Sequence, residues 1–85
     1  MYARHATDGE CIRLGRERLV VELETAGRLH RTEFARDWVR IAPQAGRGAL
    51  IEVCAGNRSV KVGRFLRAEL RPVLAQELRL ALRTA

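Results

Sequence analysis

The sequence predicts an α+β fold, a small bent antiparallel sheet of about six short strands closed by one C-terminal amphipathic helix. Three observations carry that expectation. Apolar residues alternate with polar ones in several short runs, the clearest being Val60 and Val62 in Ser59–Arg64. Glycine-bearing turns separate these runs, at Gly15, Gly27 and Gly56. After Phe65 the period changes: Leu66, Leu70, Val73, Leu74, Leu78 and Ala81 fall at helical spacing.

Residues 1–9 are mostly polar and small, and are expected to be a disordered lead-in. The folded domain spans 10–85. Cys11–Leu14 forms the first strand, with Ile12 and Leu14 on one face, and Gly15–Glu17 turns the chain. In Arg18–Glu24, Leu19, Val21 and Leu23 face one way and Val20, Glu22 and Glu24 the other. Thr25–Arg28 is the next turn. Leu29–Phe34 alternates with so much polar content that it suits a sheet edge, where charges discourage pairing with other chains. Ala35–Asp37 breaks the alternation and Trp38–Ala42 resumes it, until Pro43, which cannot donate to a ladder. A connection with Gly46 and Gly48 leads to Ala49–Ala55, a tight turn at Gly56–Arg58, and the returning strand Ser59–Arg64.

The spacing predicts a helix over 68–83, with Arg79 and Arg83 placed to complement the negative end of its dipole. Pro72 fits poorly inside such a helix. Either Arg67–Arg71 is a separate loose turn, or the true helix starts at Arg71 with Pro72 as its first residue. Glu77 projects near the apolar stripe and is expected to pair with a strand arginine. An antiparallel sheet with one apolar face needs a cover, and this helix is the one available. That arrangement is of the pleckstrin-homology-like kind, complete or partial. Phe34, Trp38 and Phe65 are expected in its core, with Trp38 packing under the helix.

Eighty-five residues that are 47% hydrophobic can bury a modest core as one domain without metal or disulfide. Cys11 and Cys54 lie inside strand-like runs and are expected to act as small buried hydrophobes; a disulfide requires neighbouring strands. With no Cys-x-x-Cys and two histidines, no metal site or cofactor is expected. Catalysis finds little material either. Ser59 is the single serine and sits beside a hairpin turn, and no Gly-x-Ser-x-Gly supports a triad with His30 and Asp37. The glutamates face arginines across strands, as charge pairs do, and glycines occur singly rather than in a phosphate-binding loop. The expectation is a protein that is not an enzyme and has no small-molecule substrate.

The formal charge of +6 rests almost wholly on arginine and favours anionic partners. Arg13, Arg18, Arg40, Lys61 and Arg64 are the candidate contacts. Nucleic acid is one alternative, as for a stand-alone basic cytoplasmic domain, but arginines are dispersed among glutamates and aromatics for base stacking are few. No apolar run is long enough to cross a bilayer, and Met1–Glu10 lacks the apolar segment of a secretory signal.

The residues Asp37-Trp38-Val39-Arg40-Ile41, then Leu50-Ile51-Glu52-Val53, then Val60-Lys61-Val62-Gly63-Arg64-Phe65-Leu66 resemble a bacterial family. It is the two-span integral membrane family catalogued as domain of unknown function 2244. The likeness runs from about Cys11 to Leu82, with Arg13-Leu14 to Val21-Glu22 similar to the first hairpin after the second span. Arg67-Ala68 replaces the family's Thr-Pro pair after Phe-Leu. The resemblance implies a soluble C-terminal domain at the cytoplasmic face of the inner membrane, acting by binding to anionic lipid or a membrane protein partner. The two spans are not in this sequence. Either it is the soluble part of a longer protein, with residues 1–9 the exit from a span and Arg4 suited to the cytosolic face, or it is a stand-alone relative.

Overall fold

The alternating runs fold into two antiparallel meanders that share one core. The computed structural model describes residues 2–6, 9–43, 46 and 48–83, with residues 2–6 described in their main chain only. The first sheet has the order β1 (Tyr2–Ala6), β2 (Glu10–Leu14), β3 (Arg18–Thr25), β4 (Arg28–Ala35). A 3-10 turn, Arg36–Trp38, carries the chain into the second sheet, β5 (Val39–Ile41), β6 (Ile51–Ala55), β7 (Arg58–Val62). A second 3-10 turn, Ala68–Leu70, precedes the helix α1 (Arg71–Arg83). The α+β class and the closing C-terminal helix are as the sequence indicates.

Three expectations are corrected. The strands divide between two sheets rather than forming one bent sheet, because Arg36–Trp38 interrupts the alternation between β4 and β5. Residues 2–6, placed in a disordered lead-in, pair with β2 from Tyr2↔Leu14 to Ala6↔Glu10. Their polar composition hid a strand that takes the sheet edge beyond β2. The rest of the expected lead-in before Gly9, and the side chain of Arg4, lie outside the described residues. The continuous helix 68–83 is divided at Leu70, and α1 starts at Arg71. Pro72 thus stands in the first turn, where its missing N–H has no intrahelical partner to lose.

Register sets the core. Ile12 pairs with Val21 and Leu14 with Leu19, and Leu19 pairs in turn with Phe34. These side chains point inward with Ile51, Val53 and Val62 of the second sheet and Leu74, Ala75 and Leu78 of α1, all buried. β4 is an edge strand, as its polarity suggests. Trp38 does not join the core: it is 72% exposed, because it falls in the 3-10 turn rather than in the strand phase that buries Val39 and Ile41. Phe65 is half-buried outside the cluster, while Leu66 packs against it. The apolar stripe is also narrower than its spacing implies, since Leu70, in the turn before α1, and Val73 are exposed.

Among the described residues, one charged side chain is buried with the core. Glu10, 4% exposed, accepts from the Gly63 N–H through both carboxylate oxygens at 3.1 Å. Gly63 has φ +97°, a conformation for which glycine is suited, and its carbonyl accepts from Arg71 Nε at 2.9 Å.

Two outcomes test this packing. Leu78→Ala should lower unfolding free energy by about 2–5 kcal/mol and Val73→Ala by about 0.5 or less, measured by denaturant titration. Comparable losses would place Val73 in the core. Glu10→Ala should cost about 1–3 kcal/mol by leaving the buried Gly63 N–H unpaired, and Glu10→Gln clearly less, because its amide oxygen still accepts.

Candidate anion-contact surface

The five basic residues singled out in the sequence do not converge. Arg13 and Arg18 lie on the outward face of the first sheet, Arg40 and Lys61 on the outward face of the second, and Arg64 beyond β7. Strand parity dictates this. Inward positions of β2 and β3 hold Ile12, Leu14, Leu19 and Val21, so the residues between them face solvent. On the second sheet Arg40, Cys54 and Ser59 form one outward row, with Glu52 opposite Lys61 in the next.

Around Arg13 and Arg18 the structure gathers two further arginines. Arg13, Arg16, Arg18 and Arg31 line an open cleft of about 470 Å³ over Val20, with Gly15 and Glu17 at its rim. Arg13 pairs with Glu22, Arg31 lies 3.9 Å from Glu22 and 3.0 Å from Glu33, and Arg18 lies 3.2 Å from Glu33. The hydrogen bond and charge of Glu22 hold Arg13 protonated more firmly than usual. The Glu22 side chain is 17% exposed against 48% for Arg13 and 53% for Arg31. The carboxylate therefore lies beneath the guanidinium groups, which keep outward donors. Arg31 could have been found by carrying the outward phase of β3 across to β4. Arg16 carried no signal, since turn residues have no period.

The rim of this cleft is fixed from inside. Arg36 donates to the Gly15 carbonyl at 2.8 Å and to the Ala81 carbonyl at 3.0 Å, and its own N–H donates to the Glu17 carbonyl at 2.9 Å. One side chain thus ties the β2–β3 turn to the C-terminal end of α1, where a cation is favoured. Arg71 reaches the Gly63 and Gly48 carbonyls and Arg79 the Ala42 carbonyl. Part of the arginine excess is therefore consumed in holding α1. Arg58 lies over the buried Phe34 ring at 5.2 Å and joins the two sheets.

Cys11 and Cys54 are half-buried on outward faces, not core hydrophobes, because the inward phase of β2 and β6 is taken by Ile12, Ile51 and Val53. They are not joined in a disulfide and lie on different sheets. Ser59, His30 and Asp37 are exposed on three separate elements. Among the described residues, no group of three or more His, Cys, Asp or Glu side chains could hold a metal ion, and no helix is long and apolar enough to cross a membrane.

The family model described as Integral membrane protein (DUF2244) matches residues 1–82. The chain belongs to that family. The match takes in both sheets and nearly all of α1. Neither the curated proteins nor the solved structures gave a match.

The second sheet offers a pH test. Burial pushes the Cys54 thiol up, and the neighbouring Glu52 charge adds to the shift. The folded state thus favours the neutral thiol, so thiolate appears at higher pH than in the unfolded chain. Alkylation by iodoacetamide, followed on a Cys11→Ser background, should rise at higher pH in the folded protein than in denaturant. Coincident profiles would remove Cys54 from this environment.

Proposed function

We propose that the chain is a non-enzymatic interaction domain, the cytosol-facing part of a bacterial inner-membrane protein, and that it docks on anionic lipid headgroups. The observation that carries this is the pairing of two facts. The family is one of integral membrane proteins, and cationic side chains stand outward on both sheets of this member. Membrane proximity raises the concentration of anionic headgroups, and each Lys or Arg near such a surface contributes about 1 kcal/mol. Arg13, Arg18, Arg40, Lys61 and Arg64 are the contacts, with Arg16 and Arg31 added by the cleft.

The exposed Trp38 supports the same reading. An indole 72% exposed beside Arg36 and Arg40 has the amphipathic form favoured at headgroup level. The order of four strands, three strands and a closing helix fits the pleckstrin-homology-like arrangement expected from the sequence, a scaffold that leaves its outward faces and turns open to partners. That likeness supports a binding role only as fold-level analogy.

Trp38 is the single tryptophan, so its fluorescence reports on one place. Emission in buffer should be that of a water-exposed indole. It should shift to shorter wavelength with vesicles of phosphatidylcholine and phosphatidylglycerol, not with phosphatidylcholine alone, and the shift should fade as salt is added. Unchanged emission, with no cosedimentation at low salt, would end this proposal.

A further inference from the structure

We infer that the cleft over Val20 is a discrete binding site for a phosphomonoester group, with Arg16 as the arginine that the fold leaves for the ligand. The inference rests on the anionic-partner reading only for the source of the phosphate, a lipid headgroup or a free phosphorylated metabolite.

Ion pairs hold three of the four arginines of the cleft. Arg13, Arg31 and Arg18 are strung on Glu22 and Glu33, so their guanidinium groups are tethered while remaining about half exposed or more. A guanidinium carries five donors, and one or two suffice for these carboxylates. The remainder are left for a ligand in the cleft that these side chains line. Arg16 stands at the mouth, exposed, with no carboxylate within ion-pair distance among the described residues. Its turn is held by Arg36 at the Gly15 and Glu17 carbonyls, so little backbone ordering is needed when a ligand arrives.

Charge and size narrow the ligand. Four arginines against Glu17, Glu22 and Glu33 leave a local excess of one positive charge when all are ionised. That excess suits one compact anion, and the interleaved carboxylates oppose an extended polyanion such as a nucleic-acid backbone. A phosphomonoester brings about −1.5 to −2 charges and three acceptor oxygens in one group, which matches several converging guanidinium forks. A diester offers one charge and fewer free oxygens. A cleft of about 470 Å³ holds a headgroup-sized molecule.

The test uses the whole chain with two probes, glycerol 3-phosphate and vesicles of phosphatidylcholine doped with phosphatidic acid. Wild type, Arg16→Ala and Arg28→Ala are compared by NMR titration and cosedimentation. Arg28 removes the same charge at the opposite end of β3 and β4, far along the sheet from the Gly15 turn. Arg16→Ala should weaken binding about tenfold and Arg28→Ala less than about twofold. Saturable, Arg16-sensitive binding of glycerol 3-phosphate identifies a free phosphorylated ligand. Arg16-sensitive binding confined to vesicles identifies the headgroup. Equal weakening by the two variants means diffuse charge and overturns the site. Vesicle binding that survives Arg16→Ala overturns the site yet leaves headgroup docking standing. Glycerol 3-phosphate binding without vesicle binding does the reverse.

Discussion

The structure turns on a single glycine. Gly63 follows β7, gives its N–H to the buried Glu10 carboxylate at the start of β2, and offers its carbonyl to Arg71 at the start of α1. Those two groups tie the first sheet, the second sheet and the helix at one point. A carboxylate removed from water is costly unless its oxygens are satisfied, so Glu10 is tolerated here through its hydrogen bonds and in turn relieves a buried N–H. The φ of +97° at Gly63 is what aims the N–H and carbonyl in these directions. A larger residue would meet that strain with Arg71 Cγ already 3.4 Å from its Cβ position.

Arginine serves two ends in this molecule, and net charge alone does not separate them. Arg36, Arg71 and Arg79 reach main-chain carbonyls, and each uses the long planar fork to satisfy an acceptor that sheet and helix leave open. This is a way for a small domain to fasten a 13-residue helix whose apolar face buries only Leu74, Ala75 and Leu78. The second group stands on outward strand positions and in turns. Counting basic residues does not separate the two groups.

What was legible in the sequence follows from what alternates. Strand phase was readable wherever one face is buried, so Ile12, Leu14, Leu19, Val21, Phe34, Ile51, Val53 and Val62 could be assigned inward before any coordinates. The helix was readable in kind but neither in its start nor in its face: Leu70 belongs to the 3-10 turn ahead of it, and Val73 shares the apolar spacing yet lies outside, because α1 meets the sheets along one side. β1 was missed because an edge strand of small and polar residues lacks the apolar rhythm. Trp38 was misplaced because a 3-10 turn shifts phase within three residues, and size suggested burial where geometry forbids it. Arg13 and Arg18 of the cleft were found through charge. Arg16, Arg31 and the Arg36 tether required tertiary structure, since no local pattern joins residues 15, 36 and 81.

That tether also explains why the first sheet, not the helix, is the better place to seek a ligand. The outward side of α1 carries Val73 and Leu80 with Gln76 and Glu77 among them, and no arginine among the described residues lines that surface. The β2–β3 turn is different. Its carbonyls at Gly15 and Glu17 are held by Arg36, and Gly15 N–H closes on the Arg18 carbonyl at 2.9 Å. Three neighbouring guanidinium groups are already oriented by Glu22 and Glu33. Binding an anion then needs chiefly the ordering of the Arg16 side chain, a rotamer cost of about 0.5–1.5 kcal/mol, smaller than a charge-assisted hydrogen bond returns. A site whose ordering is mostly complete before the ligand arrives can bind through few contacts.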